Sequence, residues 1–228
     1  MQQTALNLIA IGVFAITLSS LLGPMFNISP AIPAIATFGI MGLFTLDTLT
    51  FQGKAGTIFL DLLAGKNPQH RDRILRHEAG HFLVAYLLEI PITGYTLSAW
   101  ETFRQGISGL GGVTFDTHKL QQDFPSPWEM QVILDRFCTV WMAGIAAETI
   151  VYGSAEGGAE DRQKIRYALT QLGIPVSNQE QKERASALQA RTLLEENSQA
   201  YQALVAAMEE RASVEDCYQV IGQYIVSN

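Results

Sequence analysis

The chain carries no positive residue before Lys54, and the only charged side chain ahead of it is Asp47. A stretch so poor in charge is no ordinary solvated surface. From Ala5 to Leu22 the residues are apolar except for Asn7, Thr17, Ser19 and Ser20, and then Gly23 and Pro24 interrupt the run. Roughly 20 such residues suffice to cross a bilayer as a helix. A second run, Ala31 to Leu46, is shorter and carries Pro33; alone it would also suit a re-entrant piece or a buried core helix. A cleaved signal peptide needs a positive leader, and Met1 to Thr4 supplies none. Residues 1–52 are therefore expected to be an anchor of two transmembrane helices. Lys54, Lys66, Arg71, Arg73 and Arg76 follow the second run, so the positive-inside tendency puts the remainder on the cytoplasmic or equivalent side.

Residues 53–66 read as a membrane-proximal linker with the composition of a short amphipathic surface helix, and residues 67–228 as one folded domain. With 15 Lys and Arg against 22 Asp and Glu, the net charge is -7 and no basic stripe occurs, which argues against nucleic acid as a partner. Cys138 and Cys217 are isolated from each other and from any histidine, so neither a disulfide framework nor a zinc knuckle is expected. Asn67 and Pro68 can open a helix that runs to about Leu88 before Pro91. Ile92–Ala99 and Gly112–Phe115 have strand character around a glycine-rich connection, giving two or three short paired strands. Ser126, Pro127 and Glu129 read as a capping box, and the apolar helix that follows should end at Gly153. Another helix is expected from about Ala159 to Leu172, then two or three more, the last opened by Ser213 and Asp216. The fold class is mainly α with a small β-sheet.

His77-Glu78-Ala79-Gly80-His81 is an HExxH motif inside the helix that Pro68 opens. Residues four apart stack on one helical face, so both imidazoles can reach one ion, and Glu78 lies beside it without being a ligand. Such a carboxylate can act as general base on a water held by Zn2+. Catalytic zinc takes a third protein ligand. His70, two turns back on the same helix, is too far along the axis, whereas His118, Glu160 and Asp161 all remain candidates on spacing.

The segment Arg76–Phe82 resembles the zinc helix of the M41 peptidase family, the protease domain of FtsH-type membrane proteases. Gly112-Val113-Thr114-Phe115 is similar to that family's GVTF strand, Ala143–Gly153 to its GGRxAEExxYG helix end, and Gly157–Asp161 to its GxxxD segment. The resemblance spans about residue 70 to the C-terminus. It implies a helical, zincin-like fold with His77, His81 and Asp161 as zinc ligands, Glu78 as base, Glu148 as a partner orienting the zinc helix, and Gly112–Phe115 as a substrate-binding strand. Thr149 departs from the family's second glutamate, and the loop before Asp161 is shorter. The family's ATPase module is absent: Gly53-Lys54 is followed by Ala and Gly65-Lys66 by Asn, and neither has the glycine a phosphate-binding loop requires. No nucleotide is expected. The chain is thus similar to short, ATPase-less M41-like proteins of photosynthetic organisms, implying a plasma or thylakoid membrane with the domain on the cytoplasmic or stromal side.

Taken together, these features lead to the expectation of a membrane-anchored zinc metalloendopeptidase acting on unfolded or membrane proteins. A non-proteolytic zinc-containing partner of FtsH-type subunits is the alternative, and a homo-oligomer would also fit.

Overall fold

The computed structural model describes residues 2–29, 31–51, 56, 68–104, 112–117 and 126–225. The anticipated N-cap Asn67, the linker 53–66 apart from Gly56, the glycine-rich connection 105–111 and His118 lie outside the described residues. The backbone divides into two compact units, one formed by Met1–Pro68 with Ser98–Gly111 and the other by Gln69–Leu97 with Gly112–Asn228.

In the first unit, α1 (Gln2–Leu22) and α2 (Ala31–Phe51) are each 21 residues long. A helix rises about 1.5 Å per residue, so each reaches about 30 Å, the thickness of a bilayer's hydrocarbon core. The second helix begins where its apolar run begins, with Pro33 in the first turn where the missing N–H breaks no hydrogen bond, and it continues past Leu46 to Phe51. A 3-10 turn, Gly23–Phe26, separates the two helices and closes on Asn27 in the left-handed region (φ 57°). Thr17, Thr37, Thr45 and Thr48 donate their hydroxyls to carbonyls one turn back, which satisfies each hydroxyl without water. Large apolar side chains on both helices face outward: Phe14 is 66% exposed, Phe38 78% and Leu49 78%. A short helix, α3 (Ala99–Arg104), takes Ala99, the last residue of the expected strand, and Ser98 accepts the Glu101 N–H at its start. The strand expected to reach Ala99 stops at Thr96 for this reason: a serine cap one residue before a helix competes with extension.

The second unit is helical around a two-stranded sheet. Its elements are α4 (Pro68–Leu87), β1 (Ile92–Thr96), β2 (Gly112–Phe115), α5 (Pro127–Tyr152), α6 (Ala159–Gln171), α7 (Val176–Glu196), α8 (Ser198–Glu209) and α9 (Val214–Tyr224). Ser126 caps α5 by accepting the Glu129 N–H at 3.3 Å, and Gly153 ends it in the left-handed region (φ 77°) that a side chain would disfavour. Ser213 and Asp216 form the reciprocal capping box of α9. The strands pair antiparallel, Thr96 opposite Gly112 and Gly94 opposite Thr114, with an irregularity at Thr93.

Helix α5 is the centre of the core. Leu134, Phe137, Val140, Ala143 and Ala147 are buried against Phe82 and Leu83 of α4, Ile165 of α6 and Leu194 of α7. Among the described residues, three helices are long and apolar enough to cross a membrane, and α5 is the third. It differs from the other two in that 61% of its apolar window is buried within the protein, against 6% for each of α1 and α2. Its apolarity is accounted for by protein packing, while theirs faces outward.

Candidate metal centre

Two helices build the site by lying antiparallel at very short range. His81 of α4 meets Val140 of α5, Gly80 lies against Ala143 and Ala147, His77 meets Glu148, and Asp72 meets Tyr152. A Cβ on Gly80 would stand 2.7 Å from the Ala143 carbonyl oxygen and from Ala147 Cβ, and one on Gly144 would stand 2.3 Å from His77 Nε2. Neither separation is attainable, so glycine at 80 lets the helices touch and glycine at 144 leaves room for the His77 ring.

The four-residue spacing of His77 and His81 puts both rings on this seam, edge to face with centroids 4.7 Å apart. Asp161, in the first turn of α6, enters from the side: its Oδ2 lies 3.2 Å from His77 Nε2 and 3.4 Å from His81 Nε2. All three residues are buried, and their ligand atoms lie within 4.8 Å of one another. A tetrahedral ion with bonds of about 2.0–2.1 Å sets its ligand atoms about 3.3–3.4 Å apart, so the two histidine–aspartate separations fit one. This triad can hold a metal ion. Among the earlier candidates for third ligand, Glu160 is exposed and Asp161 buried, although they are adjacent.

The far side of each ring is already engaged. Glu148 Oε1 lies 2.8 Å from His77 Nδ1, and the Val140 carbonyl accepts from His81 Nδ1 at 2.7 Å, which leaves both Nε2 atoms turned to Asp161. Glu148 is itself held: its Oε2 accepts from the Glu156 N–H at 2.9 Å and from Arg73 Nη1 at 3.1 Å, and its Oε1 accepts from the Gly157 N–H. Arg73 also lies over the Tyr152 ring, 4.2 Å from its centre.

Without a metal, the cluster holds a proton instead. Burial works against a charged His77, but its hydrogen bonds to Asp161 and Glu148 and the nearby Glu78 carboxylate lift it to about 10. Burial likewise opposes ionised Glu148, yet the His77 bond and the two backbone N–H donors bring it down to about 2. Asp161 is well below the usual carboxylate range despite its burial, chiefly through the charge of His81 and hydrogen bonds with both histidines.

Glu78 lies on the seam's other flank. Its Oε2 accepts the Val113 N–H of β2 at 2.9 Å, and a Cβ on Gly112, whose φ is +116°, would stand 3.0 Å from the same oxygen. Of the segment Gly112–Phe115, then, the first two residues abut Glu78, while Thr114 faces β1, its hydroxyl bonded to the Gly94 carbonyl.

The sequence singled out the two histidines, Glu78 and, beside His118 and Glu160, Asp161, and the resemblance added Glu148; neither assigned a part to Arg73, Val140 or Gly144. A main-chain carbonyl leaves no trace in a sequence. Arg73 might have been noticed one helical turn before His77 on the same face. No protein-family model matches the chain, and no characterised protein matches its sequence significantly.

Proposed function

We propose that this protein is a membrane-anchored zinc metallopeptidase that cleaves peptide bonds of unfolded or membrane proteins. The observation that carries the reading is the convergence of two imidazole nitrogens and one carboxylate oxygen at spacings suited to a tetrahedral ion, with a further carboxylate, Glu78, on the next position of the same helix. Two histidines and one carboxylate are a donor set that catalytic zinc uses, and three protein ligands leave a position open. Zinc, when bound, supplies a Lewis acid that makes water acidic enough to attack near neutral pH.

The chain's own residues do the rest. Glu148 and the Val140 carbonyl keep the two rings turned the same way. Glu78 takes a proton from the attacking water and hands it to the amine nitrogen as the carbon–nitrogen bond breaks. The outer edge of β2 aligns an extended peptide by main-chain pairing. The M41-like reading is part of the proposal: Thr149, where the family has its second glutamate, is exposed with its hydroxyl on the Ile145 carbonyl, and Asp161 after the shorter loop lies with the two histidines. The outward apolar faces of α1 and α2 support the anchor, and the basic residues after α2 favour a domain on the cytoplasmic or stromal side.

The test is metal content together with cleavage of an unfolded protein in detergent. One zinc per chain and cleavage that falls 100- to 10,000-fold in Glu78→Gln, with zinc retained, are expected. Equal cleavage by both proteins would remove Glu78 from the mechanism. A zinc-loaded wild type with no cleavage would favour a non-proteolytic partner of FtsH-type subunits.

A further inference from the structure

Glu78 occupies a hydrogen-bonding position that an incoming peptide would need. In β2, Gly112 and Asp116 send their N–H groups towards β1, to the Thr96 hydroxyl and the Pro91 carbonyl. Main-chain groups alternate sides along a strand. The N–H and carbonyl groups of Val113 and Phe115 therefore point to the opposite edge, and among the described residues the sheet has no third strand there. The opposite edge of β1 is treated differently: the Tyr218 hydroxyl, from α9, accepts the Ile92 N–H at 3.0 Å. One edge of the sheet is stoppered by a tyrosine, while the other ends on the carboxylate of Glu78.

A peptide that adds to β2 must place a carbonyl on the Val113 N–H. Glu78 Oε2 already sits there at 2.9 Å. Gly112 favours this arrangement, because any side chain at 112 would press on that same oxygen. We propose that the Glu78–Val113 hydrogen bond is a latch released by substrate: an extended peptide pairing with the edge of β2 displaces the Glu78 carboxylate, and only then is that carboxylate free to serve as base. The inference rests on the peptidase reading and narrows its substrate class to segments with unpaired, extended main chain. A folded segment, whose carbonyls are already bonded, cannot open the latch. Docking and activation are one event, since the same N–H is given up by the base and taken by the substrate.

The test is binding, separate from turnover. A fluorescein-labelled, threonine-rich decapeptide is titrated by anisotropy against the zinc-loaded full chain in detergent, in two variants that both lack the base. Glu78→Gln keeps an oxygen that can accept the Val113 N–H and has lost the charge; Glu78→Ala loses both. The decapeptide should bind Glu78→Ala about 2- to 10-fold more tightly, the worth of one hydrogen bond no longer in competition. A decapeptide methylated at alternate main-chain nitrogens, which cannot pair as a strand, should show no such preference. Equal affinity of the decapeptide for the two variants, or the same preference in the methylated peptide, overturns the latch. Decapeptide that binds neither variant, while wild type cleaves unfolded protein, overturns β2 as the docking edge and leaves the proposed activity standing. Wild type that cleaves nothing sinks the activity, whatever the affinities.

Discussion

His77 and Glu148 are 71 positions apart in the chain, and their side chains meet at 2.8 Å between Nδ1 and Oε1. That contact decides which nitrogen of His77 faces Asp161. Glu148→Gln keeps the shape and can still accept from Nδ1, but it gives up the charge that Arg73 and two main-chain N–H groups also hold. Zinc affinity should fall about 10- to 100-fold, measured by competition with a chromogenic chelator. Unchanged affinity would show that Glu148 does not orient the ring.

Gly144→Ala places a methyl carbon 2.3 Å from His77 Nε2. The ring must leave its position, so the variant should purify with far less than one zinc per chain. Its stability should fall by about 1–3 kcal/mol through overpacking, read from thermal unfolding of the metal-free forms. Full zinc occupancy in Gly144→Ala would contradict the tight seam.

Proton release distinguishes a metal site from a mere hydrogen-bonded cluster. In the metal-free protein His77 has carboxylate oxygens at both ring nitrogens and is raised to about 10, so near pH 7.5 it carries both protons. A ligand nitrogen must be unprotonated. Zinc binding should then expel about one proton from His77, visible in calorimetry as a binding enthalpy that varies with the ionisation enthalpy of the buffer. A buffer-independent enthalpy would rule this out.

The same two groups shape the stability of the metal-free protein. His77 is raised above its ordinary 6.5, so its contribution is complete below that pH and declines as pH rises towards about 10. Glu148 is lowered from 4.5, so its contribution is complete above that pH and declines as pH falls towards about 2. The metal-free chain should melt at its highest temperature between about pH 4.5 and 6.5, and lose melting temperature from there to pH 9. With zinc bound, the alkaline decline should vanish, because His77 no longer has that proton to lose. Parallel alkaline limbs with and without zinc would refute the assignment.

The outward apolar faces of α1 and α2 lead to a simpler expectation. Membranes from expressing cells washed with alkaline carbonate should retain the chain in the pellet, as judged by immunoblot. Release into the supernatant would remove the anchor.

Much of the site was legible in the sequence because its spacing is local. His77, Glu78 and His81 share one helix turn, and the caps at Ser126 and Ser213 are contained within four residues. What was not legible depends on how helices cross. Choosing between Glu160 and Asp161 by spacing requires the rotation of α6 about its axis, which burial alone reveals. Gly144 matters only because His77 arrives opposite it. The length of α2 escaped because Asp47, Thr48 and Thr50 end the apolar run while the helix continues to Phe51, the Thr48 hydroxyl bonding the Phe44 carbonyl, and the strand predicted to reach Ala99 gave way to a helix because Ser98 caps it.

Val140, Gly144 and Glu148 recur every fourth residue along α5, and His77 and His81 do so along α4. A slide of α4 by a single turn, about 5.4 Å, would separate His81 from its carbonyl, His77 from its carboxylate and both rings from Asp161 in one movement. Ion uptake requires the docked helices, and a chelator strong enough to strip the ion would remove its contribution to the stability of the centre of the fold as well as its chemistry.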